Sequence, residues 1–225
     1  MTDRFFKFIF QSNLLYIGER IKKGTFKPSI SHISSKYRVK KGAKEILPLP
    51  YSTITGSIES LLGENKKIYA IGKILRCNRE YMSVAPYDVA LNTSKLPITI
   101  EYLSNVEGEI FIKKTEDFNS PNLLGNEFYM GGLKSKGLGR CEIISSNEII
   151  PKLIEGEGVF LSRIYYDDEI LSQFGISKEN ITKTYFGYLF RKTTQFDGYY
   201  QKSIFENTII KNCYNFLVEV IKWVR

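Results

Sequence analysis

At 225 residues the chain suffices for one large domain, or for a domain with a smaller companion. Hydrophobic residues make up 43%, with fifteen Phe and fifteen Tyr, which excludes a disordered, charge-dominated composition. The net charge of +8 is concentrated: residues 20–44 hold Arg20, Lys22, Lys23, Lys27, Lys36, Arg38, Lys40, Lys41 and Lys44 and no acid, so the rest of the chain is close to neutral. A local cationic block points to a polyanionic partner better than a high overall pI does.

Phe5–Phe10 reads as an aromatic strand, central and buried on both faces. The basic window follows as a long loop, with Phe26 and Tyr37 set among its cations. Leu47-Pro48-Leu49-Pro50 stops that loop. Ile54, Ile58, Leu61 and Leu62 then fall at helical spacing, with Ser52 or Thr53 to cap the helix and Gly63 to end it. Gly56 lies inside this helix, at a cost of about 1 kcal/mol relative to Ala. Close approach of another backbone would explain that cost, and so would tight packing of helix on sheet.

Further on, 68–77, 97–103 and Glu109–Lys113 read as strands, with a turn over Val106–Glu109. Residues 119–122 mark a loop, and Leu123–Met130 a short amphipathic helix. The run from Gly131 to Arg140 packs Gly131, Gly132, Gly137 and Gly139 together with Lys134, Lys136, Arg140 and the Ser135 hydroxyl, and the strand-like Cys141–Ile144 follows at once. Glycine permits positive φ and close backbone approach, while lysine and arginine complement phosphate. Residues 1–147 therefore suit an α+β domain of the ferredoxin-like (RRM-like) type with a glycine-rich loop.

Residues 148–225 read as a smaller β-rich region. Glu155–Gly158 forms a turn, Val159–Tyr165 a strand, and Asp167–Phe174 a short helix ended by Gly175. An aromatic strand over 183–194 turns at Asp197-Gly198 to pair with Tyr199–Ile210. The tail 214–224 satisfies helical and alternating patterns alike and is assigned as helix.

Several chemistries find little support. Cys77, Cys141 and Cys213 are an odd, widely spaced set without a CxxC, as expected of buried thiols in a reducing, cytoplasmic setting. One histidine, His32, argues against a structural zinc site and, with no partner visible in sequence, is a thin basis for acid–base catalysis. Asp167-Asp168-Glu169 reads as a helix-start charge cluster rather than a metal site. The lysine–serine pair sits within the glycine run instead of closing it before a helix, unlike a phosphate-binding P-loop. No apolar run approaches a membrane span, and no secretory leader is read.

Two motifs carry a family resemblance. Leu49-Pro50-Tyr51-Ser52-Thr53-Ile54-Thr55-Gly56-Ser57-Ile58 resembles the Pro-x-x-Ser-Thr-Ile/Leu-x-Gly-x-Ile/Leu element that opens the first helix in the RAMP superfamily of CRISPR-associated proteins. Gly131-Gly132-Leu133-Lys134-Ser135-Lys136-Gly137-Leu138-Gly139-Arg140 is similar to that superfamily's glycine-rich loop. Each is weak alone; in this order, about 75 residues apart, they are specific. The branch resembled is the subunit that caps the 5′ handle of CRISPR RNA in effector complexes, in its type III form. The resemblance implies a non-catalytic RNA-binding subunit without cofactor or metal, with CRISPR RNA and the backbone and large subunits of the complex as partners. The residues expected to hold RNA are Lys22, Lys23, Lys36, Tyr37, Arg38, Lys40 and Lys41 of the basic window, Ser52, Thr53 and Thr55 at the helix start, and Gly131, Gly132, Lys134, Ser135, Lys136, Gly137, Gly139 and Arg140 of the loop. Rival readings are a RAMP endoribonuclease acting on precursor RNA and a ribosomal or tRNA-binding protein.

Overall fold

The computed structural model describes residues 3–17, 46–63, 66–85, 87–88, 92–94, 98–118, 122–193 and 197–220. The basic window with its seven proposed RNA contacts, and His32, lie outside the described residues.

Strand β1 (Phe5–Leu15) alternates as its aromatics require: Phe8 and Phe10 join one apolar cluster and Phe5 another, on opposite faces. β1 lies inside a six-stranded sheet of order β2 (Leu47–Leu49), β3 (Ala70–Val84), β6 (Ile98–Lys113), β1, β8 (Arg140–Ile149), β7 (Glu127–Tyr129). Every neighbouring pair is antiparallel. Two short strands, β4 (Tyr87–Asp88) and β5 (Thr93–Ser94), pair with each other between β3 and β6 in the chain. Helix α1 (Tyr51–Leu62) connects β2 to β3 and buries Ile54 and Ile58 in the cluster of Phe8 and Phe10.

The opposite sheet face carries the rest of the chain. One sheet has the order β11 (Ile181–Lys183), β14 (Ile209–Lys211), β9 (Glu157–Phe160), β15 (Val218–Val220). A second runs β10 (Ile164–Tyr165), β13 (Gly198–Ile204), β12 (Phe186–Lys192). Their apolar residues, with those of helix α2 (Asp168–Gln173), share one cluster with Phe5, Tyr51, Ile71 and Phe111. The molecule is thus mostly antiparallel sheet with few helices. Inside the joint, the Arg163 guanidinium grips both Glu206 carboxylate oxygens at 2.7 Å and lies over the Phe205 ring.

Several sequence expectations need correcting. The turn over Val106–Glu109 does not exist: β6 runs unbroken through it, because the Phe10 ring covers Gly108 in the paired register and occupies the space a side chain would take. The helix over Leu123–Met130 is instead a turn, with Gly125 at φ +76°, followed by β7, whose Phe128 pairs opposite Cys141. The tail assigned as helix contains β15, zipped to β9 with Val218 packed over Gly158. Gly158 therefore belongs to a strand, not to the EGEG turn. The strand over Val159–Tyr165 divides into β9 and β10, and the strand over 183–194 into β11 and β12. The 199–210 segment divides at Asn207, which takes φ +78°. Neither Ser52 nor Thr53 caps α1; Pro50 holds the cap position. The short helix after Asp167 forms as expected, with the Asp167 carboxylate accepting from the N–H groups of Glu169 and Ile170, and Gly175 at φ +65° beyond its end. Burial pushes the Cys141 thiol up to about 11 and the Cys213 thiol to about 12, whereas Cys77 is only half-buried.

Candidate nucleic-acid interface

The glycine loop is pinned to the end of β1. Its base closes where Met130 N–H donates to the Gly139 carbonyl at 2.8 Å. Gly139 N–H donates to Leu14 O at 2.7 Å and Gly132 N–H to Tyr16 O at 2.9 Å, while the Ser12 hydroxyl donates to Arg140 O at 2.7 Å. Gly131 (φ +81°) and Gly139 (φ +91°) are obligatory, since a Cβ would run into the carbonyl oxygens of Tyr16 and Met130 respectively. Between these stitches, buried Leu138 anchors the loop and Lys134–Lys136 form a single exposed 3₁₀ turn, with Gly137 at φ +83° in open space.

At the helix start, three of the first N–H groups already have acceptors. Tyr51 N–H donates to Arg163 O at 2.9 Å, and the N–H groups of Thr53 and Ile54 donate to Pro50 O at 3.0 and 3.2 Å. The Thr55 hydroxyl donates back to Tyr51 O and the Ser57 hydroxyl to Thr53 O. The helix start therefore offers the groove the side chains of Ser52 and Thr53 more than free N–H groups. Gly56 is exposed, with nothing within 4 Å of the position a Cβ would take. Packing of helix on sheet accordingly does not explain this glycine.

These segments meet along one open groove of about 600 Å³. Ser52, Thr53, Thr55 and Gly56 line it from the helix, Gly131, Gly132 and Lys134 from the glycine loop. Ser135, Lys136 and Gly137 lie on the exposed turn beyond the lining, and buried Gly139 serves the loop's closure. Arg140, also among the expected phosphate contacts, sits on β8 outside the lining, and its guanidinium donates two hydrogen bonds to the exposed Glu127 carboxylate.

The remaining lining was not anticipated from sequence. Tyr188, Phe190, Arg191, Lys192 and Tyr200 enter from the β12–β13 hairpin, and Lys67, Tyr69, Tyr165 and Glu169 from the sides. The aromatic–basic run from Phe186 to Lys192 is the signal the sequence offers for it. Four cations, Lys67, Lys134, Arg191 and Lys192, outnumber the acids Glu59 and Glu169 on the lining. Lys67 pairs with Glu169, which also accepts from the Tyr69 hydroxyl at 2.9 Å, and Arg191 lies 3.6 Å from Asp167. The Lys67 hydrogen bond holds the Glu169 carboxyl below the ordinary range, whereas partial desolvation on the groove wall raises that of Glu59, against a smaller opposing pull from Lys192. Tyr165 donates to Phe190 O at 2.9 Å, and burial pushes its phenol up to about 12. The groove thus combines neutral tyrosines, hydroxyls and cations. Among the described residues no cluster of His, Cys, Asp and Glu is arranged to hold a metal, and no helix is long and apolar enough to cross a membrane.

The architecture is an antiparallel, β-rich α+β fold with a groove between helix, glycine loop and C-terminal hairpin. Among solved structures it is similar to a chain of the cryo-EM structure of the type III-B Cmr-beta bound to cognate target RNA and AMPPnP, with a TM-score of 0.55, 13% identity, and coverage of 91% of this chain and 86% of that one. A chain of the type III-B Cmr-beta bound to cognate target RNA is similar at TM-score 0.53 and 14% identity, covering 93% of this chain and 86% of that one. No family model matches the sequence, and no curated protein does. At such identity the shared property is the fold.

Proposed function

We propose that the protein is a non-catalytic RNA-binding subunit of a CRISPR effector complex, which holds the 5′ handle of CRISPR RNA and starts the filament of backbone subunits. The observation that carries this reading is the convergence of the Ser-Thr helix edge and the glycine loop on one groove. Both family-like motifs, distant in sequence, bring hydroxyls, side-chain-free glycine backbone and Lys134 to the same space, as a sugar–phosphate chain requires. Fold similarity to chains of RNA-bound type III-B assemblies supports it. So does the strand order β3-β6-β1-β8, with α1 crossing between the parallel β1 and β3, which we read as a ferredoxin-like core that has lost its second helix. The basic window of residues 20–44 adds a reservoir of positive charge for the same strand, and the large subunit docks on the finished ribonucleoprotein.

The test is incubation of the purified full chain with labelled repeat RNA from the host. Retention of intact RNA, with preference for the handle over spacer sequence, is the expected result. Appearance of a shortened product identifies a processing nuclease instead, and absence of retention refutes the reading.

A further inference from the structure

We propose that the outer face of the β10–β13–β12 sheet is a stacking site for unpaired bases of single-stranded RNA, continuous with the groove. This rests on the RNA-binding reading and adds to it the side chains that take the bases. The register sets the face. Tyr188 stands opposite Lys202 and Phe190 opposite Tyr200, with Phe186 two residues along. Intervening Leu189 and Ser203 are buried inward, so alternation turns Phe186, Tyr188 and Lys202 outward, while Ile204, opposite Phe186, closes the face at its buried end. Tyr188 is 63% exposed and Phe186 48% exposed, large apolar surface that contributes little to the fold where it stands.

Four rings beside Tyr188 are held by contacts with one another and with lysine. Phe186 meets Tyr166 edge-on at 5.1 Å and Phe190 meets Tyr200 edge-on at 5.7 Å. The Lys202 ammonium lies 3.8 Å from the Phe186 centroid and 5.3 Å from that of Tyr166. Lys178 also lies over Tyr166 and is held by Asp168 at 2.8 Å. Exposed rings alternating with lysines suit a strand whose bases are flat and whose backbone is anionic. A protein-binding core would instead be depleted of lysine. Tyr188, Phe190 and Tyr200 also line the groove, so a strand held there reaches this face without leaving the surface.

Fluorescence anisotropy of the full chain with a labelled single-stranded oligouridylate, and with an abasic strand of equal length, decides the matter. Tyr188→Ala should weaken oligouridylate binding at least about fivefold with an unchanged salt slope, Tyr188→Phe should retain affinity, and the abasic strand should bind wild type and Tyr188→Ala alike. Wild-type affinity in Tyr188→Ala, beside weakened binding in Lys134→Ala, overturns the stacking site and leaves the groove reading standing. Equal loss on the abasic strand also overturns it. Self-association by sedimentation that Tyr188→Ala abolishes would show a protein partner on this face and overturn it as well. Failure of wild type to bind either strand removes both readings.

Discussion

The Tyr51 N–H donates to the Arg163 carbonyl at 2.9 Å, so the first residue of α1 is tied directly to the chain between β9 and β10. The Arg163 side chain is locked in turn by Glu206. The helix edge and the C-terminal hairpin that line the groove are thereby held in one frame. Glu206→Ala leaves a buried guanidinium without its counter-charge and should cost about 3–5 kcal/mol, read as a lowered midpoint in urea unfolding. An unchanged midpoint would show that this pair does not join the two halves.

Two glycines should respond with opposite sign. Gly56→Ala enters open space on the exposed side of a helix and should stabilise by up to about 1 kcal/mol. Because Gly56 lines the groove, the same change should weaken RNA binding. Gly131→Ala drives a Cβ into the Tyr16 carbonyl at φ +81° and should lower the melting temperature. Thermal melts and RNA titration of both variants check the contrast; tighter RNA binding in Gly56→Ala would contradict it.

Lys134 and Arg140 differ in what they can give to an anion. Lys134 faces the groove, while Arg140 is committed to Glu127. Lys134→Ala should reduce the magnitude of the salt slope of single-stranded RNA binding by about 0.7, the value for one phosphate contact, and Arg140→Ala should leave the slope nearly unchanged. Equal effects from the two substitutions would place the strand elsewhere.

Glu59 carries a pH signature. Burial raises its carboxyl above 4.5, so the folded state holds the proton more tightly than the unfolded chain does. Its favourable contribution is full below 4.5 and is lost as pH rises through the folded-state value. Glu59→Gln should therefore be more stable than wild type at pH 7, with the gap closing on acidification. It should also bind RNA more tightly at pH 7, since one groove anion is gone. Paired melting curves across this range test the sign; a gap that widens towards acid refutes it.

Local chemistry made part of this structure legible. Helix α1 appears where Ile54 and Ile58 recur at helical spacing and stops at Gly63, and Asp167 caps α2 because a carboxylate beside free N–H groups acts within a few residues. The glycine run was readable as a loop for the same reason, since positive φ at Gly131 and Gly139 is a property of the residue. The two motif segments could be recognised separately, but no pattern in the chain says that they share a groove.

What tertiary structure alone decided depends on partners far away in sequence. Gly108 lies in a strand rather than a turn because Phe10, from another strand, fills the space above it. Residues 127–129 and 218–220 became strands because β8 and β9 offered them open edges. Arg140 met Glu127 across a strand pair, and the aromatic hairpin from Phe186 to Ile204 turned towards the groove through its pairing with β10. Such outcomes arise from cross-strand pairing, whose energy belongs to both strands and is written in neither one alone.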